Sequence, residues 1–144
     1  MANVAIGVAY ADQDIINSAN VLANASTGQL GYNTGGAGVA PASVTQGTSK
    51  STGVTINAAA GQIVTNAASL AATTAVSFTV TNSQVAATDV VLATIASGAT
   101  AGAYSVFVDA VAAGSFRVSL YNRTGGALAE ALTLNFALVQ ISQQ

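Results

Sequence analysis

From residue 52 to residue 141 the chain alternates, residue by residue, between apolar or β-branched side chains and small polar ones. The clearest segment is 76–81, in which Val76, Phe78 and Val80 stand at the even-numbered positions and Ser or Thr at the odd-numbered positions. We call each such alternating set of positions one parity of the segment. Because successive side chains of a strand point to opposite faces of a sheet, this pattern predicts strands with one buried face. Short turns rich in Gly, Asn or Ala separate the segments, so we expect a domain built from many short strands.

The pattern predicts seven strands, spaced roughly eight to fifteen residues apart. They are residues 53–57, 62–66, 75–82, 89–95, 103–111, 115–122 and 129–141. The turn at 112–114 is short enough to make a hairpin of the fifth and sixth strands. No amphipathic helix separates the strands, as a parallel α/β sheet would require. The sequence therefore predicts an all-β fold, an antiparallel β-sandwich or jelly-roll-like domain.

The apolar parity of these strands supplies the candidate core. Its members are Val76, Phe78, Val80, Phe116, Val118, Leu120, Leu134, Phe136 and Leu138. Alanine runs at 58–60, 67–72 and 110–113 favour helix by intrinsic propensity. Each run is shorter than two helical turns, and isolated helices of that length are marginal, so we expect these runs to form loops.

The first 48 residues have a different composition, because glycines interrupt them repeatedly and Pro41, the one proline of the chain, lies among them. We predict that residues 1–48 form an extended, Gly-rich N-terminal arm, with a short strand over 4–10 and a helical turn over 12–22. Residues 49–144 then form the β-sandwich domain. The length fits one domain preceded by an arm.

Charged residues are scarce, with 3 Lys+Arg and 5 Asp+Glu in 144 residues and a formal net charge of −2. A nucleic-acid binder needs clustered basic side chains, which this composition cannot supply. The chain has no His and no Cys, so thiolate and imidazole metal sites, thiol nucleophiles and His-dependent triads are excluded. We expect no cofactor, no metal and no nucleic acid, and a surface used for protein contacts.

Residues 90–108 carry no charge over nineteen positions, which is long enough to span a bilayer. Ser, Thr and Gly interrupt this stretch, and both flanks are acidic. Membrane spans are continuous in apolar residues and have Lys or Arg at one end, so we predict no membrane partner.

The candidates for the pair of carboxyl groups that a glycoside hydrolase needs are Asp89, Asp109 and Glu130. We expect these three to be solvated or salt-bridged surface groups, with Arg117 and Arg123 as available partners, and the protein not to be an enzyme. The segment 47–52 places Lys50 beside Ser but lacks the glycine frame of a phosphate-binding loop, so we interpret it as a flexible loop.

Three aromatic residues are candidate interface contacts. Phe107 lies in the segment 104–109, which is partly apolar at both parities, so both faces of this strand need to be buried. The opposite sheet buries one face, and we expect a neighbouring subunit to bury the other. Tyr10 and Tyr32 lie in the arm, where an amphipathic ring suits an interface anchor. The alternative for these tyrosines is packing on the chain's own sandwich.

Six segments together resemble a module common in tailed-bacteriophage virion proteins. They are VTQGTSKSTGVTIN at 44–57, GQI at 61–63, VSFTVTNS at 76–83, VAATDVV at 85–91, AVAAGSFRV at 110–118 and EALTLNFALV at 130–139. The resemblance covers roughly residues 44–141. Such modules occur in head decoration or cement proteins, head fibres and tail-associated proteins, and the resemblance implies a β-rich, often trimeric protein with no enzymatic residues.

The resemblance implies a structural virion protein on the outer surface of the head, or capsid, of a tailed phage. We expect it to decorate and cement the capsid as a homotrimer, with the major capsid protein and other copies of itself as partners. The arm lies outside the resemblance and would select the attachment site. The alternative is a tail or fibre module that binds a host surface glycan or another virion protein.

Overall fold

The computed structural model describes residues 42–141 and the backbone of two short segments, 23–24 and 29–30. The chain divides into two compact units, residues 1–40 and residues 41–144. In the first unit, strands β1 (Ala23–Asn24) and β2 (Gln29–Leu30) form an antiparallel pair. The strand predicted at 4–10 and the helical turn predicted at 12–22 lie outside the described residues.

The second unit is a β-sandwich of two four-stranded sheets. Sheet I has the order β3-β5-β10-β7 and sheet II the order β4-β6-β9-β8. The strands are β3 (Ala42–Thr45), β4 (Val54–Thr55), β5 (Ala60–Val64), β6 (Ala75–Thr81), β7 (Val90–Ser97), β8 (Tyr104–Ala112), β9 (Ser115–Asn122) and β10 (Thr133–Val139). No helix occurs in the described residues, and the alanine runs lie in strands and loops. The predicted all-β sandwich is confirmed.

Strand pairing contains two features that the sequence did not indicate. The β8–β9 hairpin turns at Gly114 as expected, but β3 runs parallel to β5 and β4 runs parallel to β6. Both parallel pairs arise because the chain leaves one sheet, contributes a strand to the other and then returns. Residue alternation fixes the two faces of a strand but not its direction relative to a neighbour.

Strand β3 lies in the stretch that the sequence analysis assigned to the arm. It pairs with β5 over four residues, with Val44 opposite Ile63. Four residues directly after Pro41 and a glycine-rich stretch are too few for a period of two to stand out. The last strand begins at Thr133, four residues later than predicted, because residues 129–132 form the approach to β10.

Side chains from the inner faces of both sheets form one core. The rings of Phe116 in sheet II and Phe136 in sheet I lie 5.5 Å apart between centroids, which joins the two layers. Eight of the nine candidate core residues are buried, and Val76 is half-buried against the core. The buried hydrophobic residues that the sequence analysis did not single out are Val54, Ile56, Ile63, Leu70, Val85, Val91, Ala103, Tyr104 and Leu132.

The chain passes between the sheets along both lateral sides of the sandwich. Residues 46–53 connect β3 to β4, and residues 98–103 connect β7 to β8. The second crossing begins at Gly98, whose φ is +83° and where an added Cβ would lie 2.2 Å from the main-chain oxygen of Ala131. This position therefore needs glycine both for its backbone conformation and for its close approach to the segment before β10.

Replacing Gly98 by Ala should destabilise the protein more than the same change at Gly102. Both glycines have positive φ, +83° and +73°, so each alanine costs about 1–2 kcal/mol in backbone conformation. Only the methyl group at position 98 meets backbone atoms, which adds roughly 1–3 kcal/mol of overpacking. Urea denaturation of the two variants measures the difference, and equal losses of stability would contradict this account of the crossing.

Candidate interaction surfaces

The outward face of sheet I carries no charged side chain. Burial of Val91, Ile63 and Phe136 directs their sequence neighbours outward, because side chains alternate along a strand. The outward residues are Ser43, Thr45, Ala60, Gln62, Val64, Val90, Leu92, Thr94, Thr133, Asn135, Ala137 and Val139. In the middle of this face Gln62 Nε2 donates to Asn135 Oδ1 at 3.0 Å. The face therefore combines neutral polar groups with aliphatic ones.

Four of the five exposed large hydrophobic residues among the described residues lie on β7, at the last residue of β10 and two residues beyond it. We call Val90, Leu92, Val139 and Ile141 the β7–β10 patch. Val90 pairs with Val139 across the two strands, and Leu92 is 55% exposed, more than any other member. An apolar cluster of this kind on a strand face is typical of a contact surface.

The β7–β10 patch was not predicted from the sequence, although a signal for it was present. Residues 90–95 are apolar at both parities apart from Thr94, which is the same two-faced pattern that singled out Phe107. The segment after β10 is held at the patch, since the Ile141 N–H donates to Asp89 Oδ1 at 3.3 Å.

The outward face of sheet II consists mainly of Ser and Thr, with two aromatic residues at one side. Phe107 on β8 lies on this face, is 44% exposed and pairs with Ser119 of β9. Tyr121 is two residues beyond Ser119 on β9, where it is half-buried and pairs with Ser105 of β8. The other two predicted interface residues, Tyr10 and Tyr32, lie outside the described residues.

A hydrogen-bonded polar group stands beside Phe107. Asp109 accepts from Arg117 Nε at 2.6 Å and from the Ser119 hydroxyl at 2.7 Å, and the hydroxyls of Ser119 and Ser77 are 2.7 Å apart. Asp109 occupies a bulge, because Val108 pairs with Val118 and Ala110 with Arg117, which leaves Asp109 without a residue opposite it on β9. Hydrogen bonds from Arg117 and Ser119 lower the pKa of the Asp109 carboxyl. The predicted pairing with Arg117 is thus present.

The other two acids, Asp89 and Glu130, accept hydrogen bonds from main-chain N–H groups. Asp89 is buried, and its carboxylate accepts from the Ala86 N–H at 2.8 Å, closing the turn before β7. Glu130 is half-buried and accepts from the N–H of Thr100 at 3.1 Å and from its hydroxyl. Both carboxylates hold loops, and the prediction of a surface group is wrong for the buried Asp89.

The sequence predicted a flexible loop at Lys50, but this residue is held in place. It is 3% exposed, and its ammonium group donates to the main-chain oxygens of Asn66 and Glu130. Burial lowers the pKa of Lys50, and the neighbouring Glu130 carboxylate opposes that shift. The loop is also closed by Gln46, whose amide nitrogen donates to the oxygens of Lys50 at 3.1 Å and Thr52 at 2.8 Å.

Tyr104 is buried next to Glu130. Its hydroxyl and Glu130 Oε2 are the two buried side-chain polar atoms of the described residues that lack a partner at hydrogen-bonding geometry. Burial, together with the nearby Glu130 carboxylate, raises the pKa of Tyr104 to about 12. A neutral phenol is therefore the form that this site stabilises.

The pKa of Tyr104 predicts a loss of stability at high pH. The phenol has a pKa of about 10 in an unfolded chain and about 12 in the folded protein, so it favours folding while protonated. That contribution is fully present below about pH 10 and declines as the pH rises through 12. The free energy of unfolding of the wild type, relative to that of Tyr104→Phe, should therefore fall across this window. Denaturation at several alkaline pH values measures it, and a constant difference would contradict the raised pKa.

The described residues contain no group of three His, Cys, Asp or Glu residues placed to hold a metal ion. They also contain no helix with the length and hydropathy of a membrane span. Comparison of the chain with protein-family models, with curated proteins and with solved structures found no match. A functional assignment consequently depends on the residues and surfaces described above.

Proposed function

We propose that the protein is a non-enzymatic structural component of a tailed-phage virion that decorates the outer surface of the capsid and stabilises it as a homo-oligomer. The observation that carries this proposal is the outward face of sheet I, which is uncharged and ends in the β7–β10 patch. Surfaces that form lasting protein contacts are depleted in charge at their centre.

The scarcity of charge favours burial of large areas against protein partners. Burying an ionised side chain costs free energy that only a well-placed counter-ion offsets. Apolar area contributes about 25 cal/mol per Å² when it leaves water, before the entropy of association is subtracted. The desolvation free energy that a neutral face loses on contact with the major capsid protein, or with another copy of the chain, is therefore small.

The resemblance to phage virion modules begins at residue 44, two residues after the start of β3, and extends to the end of the described sandwich. Residues 1–40, the other unit of the chain, lie outside it. We assign the selection of the capsid site to that unit, because a segment that differs from the shared module is suited to distinguish one particle surface from another.

Purified heads that lack decoration should bind the full-length protein at saturable, regularly spaced sites. Deletion of residues 2–40 should abolish this binding and leave a folded sandwich, as judged by circular dichroism and cooperative unfolding. The deletion stops at residue 40 because β3 and Gln46 belong to the sandwich. Cosedimentation with heads measures occupancy. Full occupancy by the truncated protein would remove the assigned role of residues 1–40, and no binding by the full chain would remove the proposed function.

A tail or fibre module that binds a host surface glycan is the second candidate, supported by the outward face of sheet II. Phe107 offers an exposed ring, and the Asp109–Arg117 pair beside it offers fixed polar groups. An apolar ring combined with a few oriented polar groups is the general chemistry of a small-ligand site.

On this second candidate, a glycan array should give a specific signal that Phe107→Ala reduces at least about tenfold, a loss of about 1.4 kcal/mol in binding. Leu92→Ala is the matched control, because Leu92 is also an exposed large hydrophobic residue but lies on the other sheet. An array without signal, or a signal equally reduced by both variants, would speak against a glycan site at Phe107.

A further inference from the structure

Strand β7 has a free edge. It is the outermost strand of sheet I and pairs only with β10 among the described residues. Its other edge makes no backbone hydrogen bond within that part of the chain. The ladder with β10 is regular from Val90 to Ile95, and a bulge follows before Ser97. Every second residue of this six-residue segment therefore presents its N–H and C=O groups to the outer side, in a regular row.

This edge also lacks the features that usually prevent edge-to-edge association of sheets. Natural edge strands are short, or carry charges, prolines or bulges. Strands β3 and β4 have four and two residues, and β8 has a bulge with the charged Asp109. Residues 90–95 contain no charge, no proline and no bulge, and two of their outward side chains belong to the β7–β10 patch.

We propose that β7 pairs with β7 of a second copy of this chain, in antiparallel orientation, and joins two copies of sheet I into one eight-stranded sheet. Two identical strands satisfy each other's donors and acceptors when they run antiparallel about a two-fold axis. Identical surfaces that meet on such an axis bring like charges together, and the outward face of sheet I has none to repel its own copy.

Residue alternation restricts the register of this contact. Directly opposed residues of paired strands lie on the same face, so the two-fold axis must pass through a residue position and not between two residues. Within the regular segment 90–95, the central positions are Leu92 and Ala93. An axis at Leu92 places it opposite Leu92 of the second copy, and an axis at Ala93 places it opposite Thr94. Both registers bring the two Leu92 side chains within reach of each other.

The inference deepens the proposed function, since it rests on the homo-oligomer stated there and supplies its surface. A two-fold contact joins copies of the chain in pairs. The resemblance implies a trimer, so the two expectations differ in the number of copies. The most exposed side chain of the patch, Leu92, lies at the centre of the proposed contact.

Substitution of Leu92 by charged residues tests the contact in the full-length protein. The wild type should sediment as a particle of twice the 14.0 kDa chain mass. Leu92→Lys and Leu92→Glu, each alone, should weaken association at least about tenfold, because like charges meet across the axis. An equimolar mixture of the two variants should associate again, since opposite charges then face each other. Thr81→Lys, an exposed strand position on sheet II, is the matched control and should associate like the wild type.

Recovery of association in the mixture supports the β7 contact and also shows that both variants fold. A monomeric wild type at high concentration, or a trimer that neither Leu92 variant weakens, would overturn it. Loss of association on Phe107→Lys with no effect at Leu92 would overturn it in favour of the edge of sheet II. Head binding, measured on the same samples, separates the two proposals, because heads can be decorated by a chain that does not pair through β7.

Discussion

Buried neutral amides hold loops of this sandwich through hydrogen bonds to main-chain groups. Gln46, Asn82 and Asn122 are all buried, and each bonds to backbone groups of distant loops. Asn122 Nδ2 donates to the oxygen of Leu70 at 3.1 Å, and Asn82 Nδ2 donates to that of Ala58 at 2.7 Å. An amide supplies donors and an acceptor without a net charge, so it needs no counter-ion. These loops are thereby held by neutral groups, in addition to the loops that Asp89, Glu130 and Lys50 hold.

This way of closing the loops is linked to the outer surfaces. Of the three basic residues of the chain, Lys50 is buried under a loop and Arg117 is engaged by Asp109. Few charges remain to keep the strand faces apart from other proteins, and sheet I has none on its outward face. Neutral faces of this kind favour association, which connects the internal hydrogen bonding of the sandwich to its proposed role at the surface of a particle.

Local patterns were sufficient to predict the strands and most of the core. The segment 76–81 shows its buried parity within six residues, and the β8–β9 hairpin follows from one short turn. Features set by distant partners were not predictable in this way. Lys50 bonds to carbonyl groups 16 and 80 residues away, and β3 is a strand only because β5 lies beside it. The β7–β10 patch as a whole was not predictable from local pattern because its members lie on two segments that only strand pairing brings together, as Val90 opposite Val139 shows.

The position of β10 has a consequence for the order of folding. It lies between β5 and β7, and its residue Phe136 pairs with Gly61 on one side and Ala93 on the other. Sheet II contains the local β8–β9 hairpin, but sheet I has no hairpin joining neighbouring strands, so its loop-closure entropy must be overcome over long separations. Until β10 is inserted, β5 and β7 expose unpaired edges that would recruit other chains. The insertion of this last strand is thus the step at which refolding and aggregation compete.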